Sequence, residues 1–199
     1  MLMTTYQEKF WQGKFGTKYS LRHLNYKKNF LKNIINKKIK IKSIFEMGTN
    51  VGNNLDLIKS IDKKIITAGI EINKYAFKKA FSKGHKVVND SILKCNIKQF
   101  SKYDLTMTVG VLIHINPKYL KRVYSKLYSL SKKYILIAEY FNDYPISIKY
   151  RGHSNLLFKR DFAKEIKDQF KLKIVDYGFI WSEDKKYNQD NFNWFLLKK

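Results

Sequence analysis

The stretch Ser43-Ile44-Phe45-Glu46-Met47-Gly48-Thr49-Asn50-Val51-Gly52-Asn53-Asn54 decides how the rest of the chain is read. A short apolar run ends in a carboxylate, two glycines follow four residues apart, and the chain then turns polar enough to begin a helix. This is the order of a first strand, a glycine turn and a helix N-terminus, which cradles nucleoside-bearing cofactors in doubly wound sheets. Gly48 lets the backbone turn where side-chain-bearing residues are strained, and Gly52 lets helix and cofactor come close. Asn50, between them, is one of the few other residue types that tolerate positive φ.

The glycine spacing is G-x-x-x-G, without the third glycine of a dinucleotide fingerprint. Glu46, immediately before it, would repel a pyrophosphate and suits a cationic sulfonium and amino group. Roughly twenty residues on, Ala68-Gly69-Ile70-Glu71 closes a second apolar run on another acid, where a ribose-gripping carboxylate belongs. Glu46 and Glu71 together point to S-adenosylmethionine, with S-adenosylhomocysteine as product.

Working outward, alternation of strand-like and helix-like segments predicts a mostly parallel sheet with helices between its strands. Strands are expected over residues 39–47, 64–70, 86–89, 103–109 and 134–139. Helices are expected over residues 20–37, 53–60, 73–83 (capped by Asn73 and stopped by Gly84), 117–130 (opened by Pro117) and 159–170. Two long runs, 172–181 and 191–197, joined by the polar residues 182–189, predict an antiparallel hairpin at the sheet's edge. With no repeat, linker or low-complexity segment, the 199 residues read as one domain. An aromatic arm and helix occupy residues 1–38 and the core residues 39–199.

The net charge of +24 comes mainly from lysine, with only Arg22, Arg122, Arg151 and Arg160 as arginines. The lysines recur in nearly every segment beside Asn, Ile, Tyr and Phe, the residues A·T-rich codons supply. That favours a solvated surface with coding bias, and leaves a polyanion partner as the alternative. No apolar run reaches the length of a membrane span, and the first residues lack the order of a signal peptide. The single cysteine, Cys95, can form neither an internal disulfide nor a cysteine-based metal site, and the expected location is cytoplasmic with no metal.

Ligands in open parallel sheets collect at the carboxyl ends of strands. That selects Glu46, Glu71 with Ile72, Asp90-Ser91, Gly110 to His114, and Glu139-Tyr140. Methyl transfer requires alignment of donor and acceptor, and a hydroxyl acceptor also needs a base. His114 and His153 are the candidate bases, with Glu139 as a third candidate catalytic group. Arg151, beside His153, could fork onto a carboxylate or phosphate. The segment Phe10-Trp11-Gln12-Gly13-Lys14-Phe15-Gly16-Thr17-Lys18-Tyr19 reads either as a lid over the cofactor or as an arm pinned to the core. Asn116-Pro117-Lys118-Tyr119 lacks the second proline of the N-P-P-Y signature of enzymes that methylate DNA amino groups, and serves better as a helix start. Cys95 has neither the neighbouring proline nor the position of a ring-carbon-methylating nucleophile.

These residues resemble the pseudaminic acid biosynthesis-associated methylases, a branch of the class I S-adenosylmethionine-dependent methyltransferases. The resemblance runs through Phe10-Trp11-x-Gly13-x-Phe15-Gly16 with Tyr19 and Arg22, Glu46-x-Gly48-x-Asn50-x-Gly52-x-Asn54-Leu55, and Glu71-Ile72-Asn73. It continues through Gly110 to Ile115, Ile135 to Tyr140, Tyr150-Arg151-Gly152-His153 and Phe158-Lys159-Arg160-Asp161-Phe162. It closes with Asp176-Tyr177-Gly178-Phe179 and Trp194-Phe195-Leu196-Leu197. It implies an α/β Rossmann-like three-layer sandwich, with a seven-stranded mostly parallel sheet and an antiparallel C-terminal hairpin strand. It further implies transfer of a methyl group to a small, sugar-derived acceptor of nonulosonate or nucleotide-sugar type in surface-glycan synthesis; the lysine-rich surface leaves RNA or DNA as the alternative acceptor. Trp11, Phe15, Tyr19 and Arg22 join the cofactor set with Gly48, Asn50, Gly52, Asn54, Asp90, Ser91 and Gly110, while Arg151, Tyr140 and Tyr150 face the acceptor. His23 stands where the family tends to have asparagine.

Overall fold

The computed structural model describes residues 3–24, 30–37, 39–185 and 190–199. Seven strands form one sheet, in the spatial order 86–89, 66–71, 43–47, 103–109, 131–139, 192–198 and 173–180, and a separate two-stranded sheet pairs 146–150 with 153–159. The chain divides into two compact units, Met1–Gln99 and Phe100–Lys199.

The first unit is built on β1 (Ser43–Met47), β2 (Ile66–Glu71) and β3 (Lys86–Asn89), all parallel. Every residue of β1 is buried, and so are all those of β2 after Ile66, as expected of strands covered on both faces. Their register sets Glu46 opposite Gly69 and Glu71 opposite Asn89. Gly69 has a steric reason. A Cβ there would lie 2.2 Å from Thr49 Cγ2 and 2.4 Å from the Glu46 carbonyl oxygen. Two crossover helices follow the strands. The first, after β1, is Asn53–Lys59; the second, after β2, is Lys74–Ser82, capped by Asn73 as its sequence predicts.

Before β1 lie α1 (Tyr6–Gln12), α2 (Lys14–Arg22) and α3 (Phe30–Lys37), so the crossover helices are α4 and α5. The single helix expected over 20–37 is therefore two: α2 ends at Arg22, and residues 23–24 turn. Residues 25–29 of that expectation lie outside the described residues, as do 186–189 of the polar connection. The first strand also begins at Ser43, four residues later than its apolar run.

The second unit pairs β4 (Tyr103–Val109) in parallel with β5 (Ser131–Glu139), joined by α6 (Leu120–Leu130). Pro117 starts a short 3-10 turn into α6, with the Asn116 side chain accepting from the Lys118 N–H. The terminal hairpin forms as expected. β8 (Lys173–Ile180) and β9 (Phe192–Lys198) are antiparallel, and β9 also runs antiparallel to β5, leaving β8 outermost. The region between β5 and α7 (Phe162–Phe170) was expected to be a loop with a helix from Lys159. It is instead a hairpin of β6 (Ile146–Tyr150) and β7 (His153–Lys159), and the helix starts only at Phe162. Arg151 and Gly152 make its two-residue turn with φ of 48° and 83°, the left-handed pair that matches strand twist.

Candidate functional site

In the first unit the glycine turn is pulled onto the end of β2. The N–H groups of Gly48 and Thr49 both donate to the Ile70 carbonyl, at 2.9 and 3.1 Å. Gly48, Asn50 and Gly52 have φ of 78°, 47° and 82°, the left-handed geometry expected of Gly48 and Asn50. Gly52 caps α4, and a Cβ on it would come within 2.9 Å of the His85 ring.

Glu71 closes the cradle. Its carboxylate is 8% exposed and accepts the Asn50 N–H on Oε2 and the Asn73 N–H on Oε1, each at 2.7 Å. Burial raises its pKa above the ordinary carboxyl range, while the N–H groups of Asn73, Asn50 and Ile72 pull it down. Each oxygen can accept a further bond, so the pair suits a vicinal diol. Asn50 contributes a second feature: its Oδ1 is buried and has no hydrogen-bond partner among the described residues. A buried acceptor of this kind calls for a donor. Glu46, 1% exposed, accepts from Asn54 Nδ2 at 2.6 Å, so two of the expected cofactor residues meet directly. Asp90 is drawn to the same corner, its N–H donating to the Glu71 carbonyl at 3.2 Å.

The aromatic arm is α1 and α2, and it is fastened to the first unit. Asn73 Nδ2 donates to the Trp11 carbonyl and to Thr17 Oγ1, both at 3.1 Å, while its Oδ1 caps α5. Ser91 Oγ donates to the Glu8 carboxylate, and Lys94 Nζ to Thr4 Oγ1 at 2.6 Å. Ser91, expected to touch cofactor, thus has its hydroxyl committed to the arm. Trp11 lies edge-on to Phe15 and to Tyr19, with centroids 5.6 and 5.2 Å away, and Tyr19 stacks on His23 at 4.1 Å. Arg22 is exposed at the end of α2. Of the two readings of the arm, the pinned one describes these contacts. Glu8 was missed although Thr5-x-x-Glu8 is a readable capping box, which the structure forms. Also missed was His85, 3% exposed between Thr67 Oγ1 (2.8 Å) and Asp56 Oδ1 (2.9 Å) beneath the glycine turn.

In the second unit Gly110 turns with φ of 68° and donates its N–H to the Ala138 carbonyl at 2.8 Å. The turn after it is held by Glu139. Oε1 accepts the Val111 and Leu112 N–H groups at 3.0 Å each, and Oε2 that of Ile113 at 3.4 Å. Burial at 4% exposure pushes the Glu139 pKa up to about 7, against the lowering effect of these donors and of Thr108. Glu139 is therefore first a clamp on the 110–114 turn. His114 Nδ1 lies 2.6 Å from the Leu156 carbonyl, which only accepts, so Nδ1 carries the proton and Nε2 the lone pair. Burial lowers its pKa to about 4, and its ring meets Tyr150 edge-on at 5.0 Å. Tyr150 pairs with His153 across the hairpin, and the Arg151 guanidinium lies 5.8 Å from the Tyr150 ring. The structure thus gathers His114, Tyr150, Arg151 and His153 around one hairpin, with Arg151 and His153 exposed at its tip. Tyr140 stands apart from this group, donating to Asp190 Oδ2 at 2.8 Å. Among the described residues no group of three or more His, Cys, Asp or Glu side chains could hold a metal ion. No helix among them is long and apolar enough to cross a membrane.

No family model matches the chain, and no curated protein does. Solved structures do. A SAM-dependent methyltransferase from Archaeoglobus fulgidus superposes with a TM-score of 0.69 at 18% identity, over 94% of this chain and 100% of that one. Magnesium protoporphyrin IX methyltransferase from Synechocystis, solved with bound SAM, gives 0.67 at 11% identity over 100% of both chains. An S-adenosylmethionine-dependent methyltransferase from Clostridium acetobutylicum gives 0.63 at 12% identity, over 93% of this chain and 97% of that one. At such identities the likeness is one of fold, and the fold is that of the class I methyltransferases.

Proposed function

We propose that the chain is an S-adenosylmethionine-dependent methyltransferase acting on a small, anionic, sugar-derived acceptor, working as one domain over residues 1–199. The observation that carries the cofactor is Glu71, held by the Asn50 and Asn73 N–H groups beside the buried, unpaired Asn50 Oδ1. A ribose diol satisfies the carboxylate, and a donor on the same ligand satisfies Asn50. Glu46, steadied by Asn54, supplies the negative charge for the cationic end. Trp11, Phe15 and Tyr19 offer apolar ring faces from the fastened arm, and Arg22, Gly48, Gly52, Ile72, Asp90 and Gly110 complete the cofactor set. When bound, the sulfonium supplies an electrophilic methyl group and leaves as S-adenosylhomocysteine.

On the acceptor side, Arg151, Tyr140 and Tyr150 bind and orient. His114, its pKa lowered by burial, lies against the Tyr150 ring as one of the two candidate bases. His153, exposed to water, is the histidine that can take the acceptor proton and pass it on. The acceptor class rests on the family resemblance and on the Arg151–Tyr150 pair at the hairpin tip. A cytoplasmic location accords with Cys95, a buried free thiol.

Calorimetry tests the cofactor. Wild-type protein should bind S-adenosylmethionine with a Kd between about 1 μM and 1 mM, the usual range for enzyme substrates. Gly52→Arg should abolish binding, because even a Cβ there meets the His85 ring. Absence of binding to the wild type would end this reading. Incubation with methyl-labelled cofactor and fractionated cell extract then tests the acceptor: label in small molecules supports the proposal, and label in RNA or DNA replaces it.

A further inference from the structure

Lys83, the residue that caps the end of α5, reaches back over the glycine turn. Its Nζ donates to the Val51 carbonyl at 2.8 Å, to Asn53 Oδ1 at 3.2 Å and to Asp56 Oδ2 at 2.7 Å. Those acceptors use the whole donor capacity of an ammonium group. Val51 stands inside the turn, between Asn50 and Gly52, while Asn53 and Asp56 belong to the start of α4. Asp56 is held on its other oxygen by His85, whose Nε2 donates to Oδ1 at 2.9 Å. His85 in turn meets Thr67 Oγ1 of β2 through Nδ1 at 2.8 Å, and its ring lies against Gly52. Asn53 carries the contacts onward. Its Nδ2 donates at 2.6 Å to the carbonyl of His23, the residue that ends α2 and stacks on Tyr19. A single lysine therefore joins the turn, the start of α4 and, through Asn53, the far end of the aromatic arm.

We propose that Lys83, seated on Asp56, is a positioning residue that keeps the glycine turn and the end of the arm in one arrangement for the cofactor. The inference rests on the cofactor reading above and adds to it a residue that acts from behind the site. The inner side of the turn is fixed by the end of β2, through the Ile70 carbonyl and the Glu71 carboxylate, whereas Lys83 fixes its outer side. The Val51 carbonyl and the Gly52 N–H belong to one planar peptide, so the bond to Lys83 orients the peptide that enters the left-handed Gly52. The arm's start is fastened at Asn73, Ser91 and Lys94, and its end at Asn53, next to the candidate cofactor residues Tyr19 and Arg22. A binding constellation keeps its geometry only when the groups behind it are locked in this way. As an ion pair the contact adds little, because the Lys83 side chain is 32% exposed and water screens it. What Lys83 contributes is geometry, and that separates its effect on affinity from any effect on stability.

The test compares wild type with Lys83→Met, which keeps the stem and removes every donor, and with Lys83→Arg, which keeps charge and donors. Hydrogen exchange of the cofactor-free protein, read by mass spectrometry, should be faster in Lys83→Met at residues 48–54 and at residues 19–23, and unchanged elsewhere. Calorimetry should show S-adenosylmethionine bound about tenfold more weakly by Lys83→Met, the size of one lost hydrogen bond to a charged group. Lys83→Arg should recover most of both effects. Thermal melting should move little in either variant, since the ion pair is screened. Exchange unchanged at either segment in Lys83→Met would overturn the proposal. So would exchange that speeds along the whole chain with a matching fall in melting temperature, which marks a role in stability alone. Faster exchange at both segments with unaltered affinity would likewise remove Lys83 from cofactor binding. A wild type that fails to bind S-adenosylmethionine would instead sink the cofactor reading, and the exchange pattern would still decide whether Lys83 holds turn and arm together.

Discussion

The Glu71 carboxylate accepts the backbone N–H of Asn50, twenty-one residues away in sequence, at 2.7 Å. This bond joins the acid that ends the second strand to the left-handed residue of the first loop. A neutral amide cannot serve both Asn50 and Asn73, because one of its two ends is a donor facing a donor. Glu71→Gln should lower S-adenosylmethionine affinity about tenfold to a hundredfold and cost about 1–3 kcal/mol of stability. Calorimetry and urea denaturation measure the two effects. Unchanged affinity would separate Glu71 from the cofactor.

Asn73 has two jobs that different substitutions split. Its oxygen caps α5, and its nitrogen holds the arm at Trp11 and Thr17. Asn73→Asp keeps the cap and removes the donor, whereas Asn73→Ala removes both. Asparagine-to-alanine at a cap costs about 1 kcal/mol, so the alanine variant should be the less stable by that amount. Both should release α1 and α2 to limited proteolysis equally. If the aspartate variant resists protease as the wild type does, the Ser91–Glu8 and Lys94–Thr4 bonds hold the arm without Asn73.

Glu139 should make stability depend on pH. The folded protein keeps this proton until about pH 7, whereas an ordinary carboxyl releases it near 4.5. The native state therefore binds more protons between those values, and the contribution, fully present below 4.5, is lost as pH rises to 7. A shift of this size corresponds to roughly 3 kcal/mol, as an order of magnitude. His114 acts in the opposite sense: its pKa is lowered from 6.5 to about 4, so its contribution is present above 6.5 and lost toward 4. The informative quantity is thus the difference between wild type and Glu139→Gln. It should change across pH 5–7 and level off above, as followed by denaturant unfolding at each pH. A difference flat with pH would mean that Glu139 is ionised throughout.

Parts of this fold were legible because local and global signals agree. The apolar run of β1, its two glycines and the acid that ends β2 each need only neighbours in sequence to be recognised, and they formed as expected save that β1 starts four residues late. The β6–β7 hairpin was missed because its strands are half-exposed and its turn is Arg151-Gly152, where Asn-Gly is the stronger signal. Glycine is a poor helix former. Yet Gly16 is required inside α2, since a Cβ there would lie 1.8 Å from the Trp11 carbonyl oxygen. Asn73 was readable as a cap but not as a tether, because the tether's partners lie far along the chain, which spacing does not report.

The order of β8 and β9 has a consequence for biosynthesis. Residues 192–198 come after β8 in the chain yet lie between it and β5, so β8 has no seat until they are present. A nascent polypeptide stalled on the ribosome before Phe192 should therefore leave Tyr177 and its neighbours open to protease. One extended past Lys198 and clear of the exit tunnel should protect them. The second unit finishes folding from its far end, after translation has passed it by.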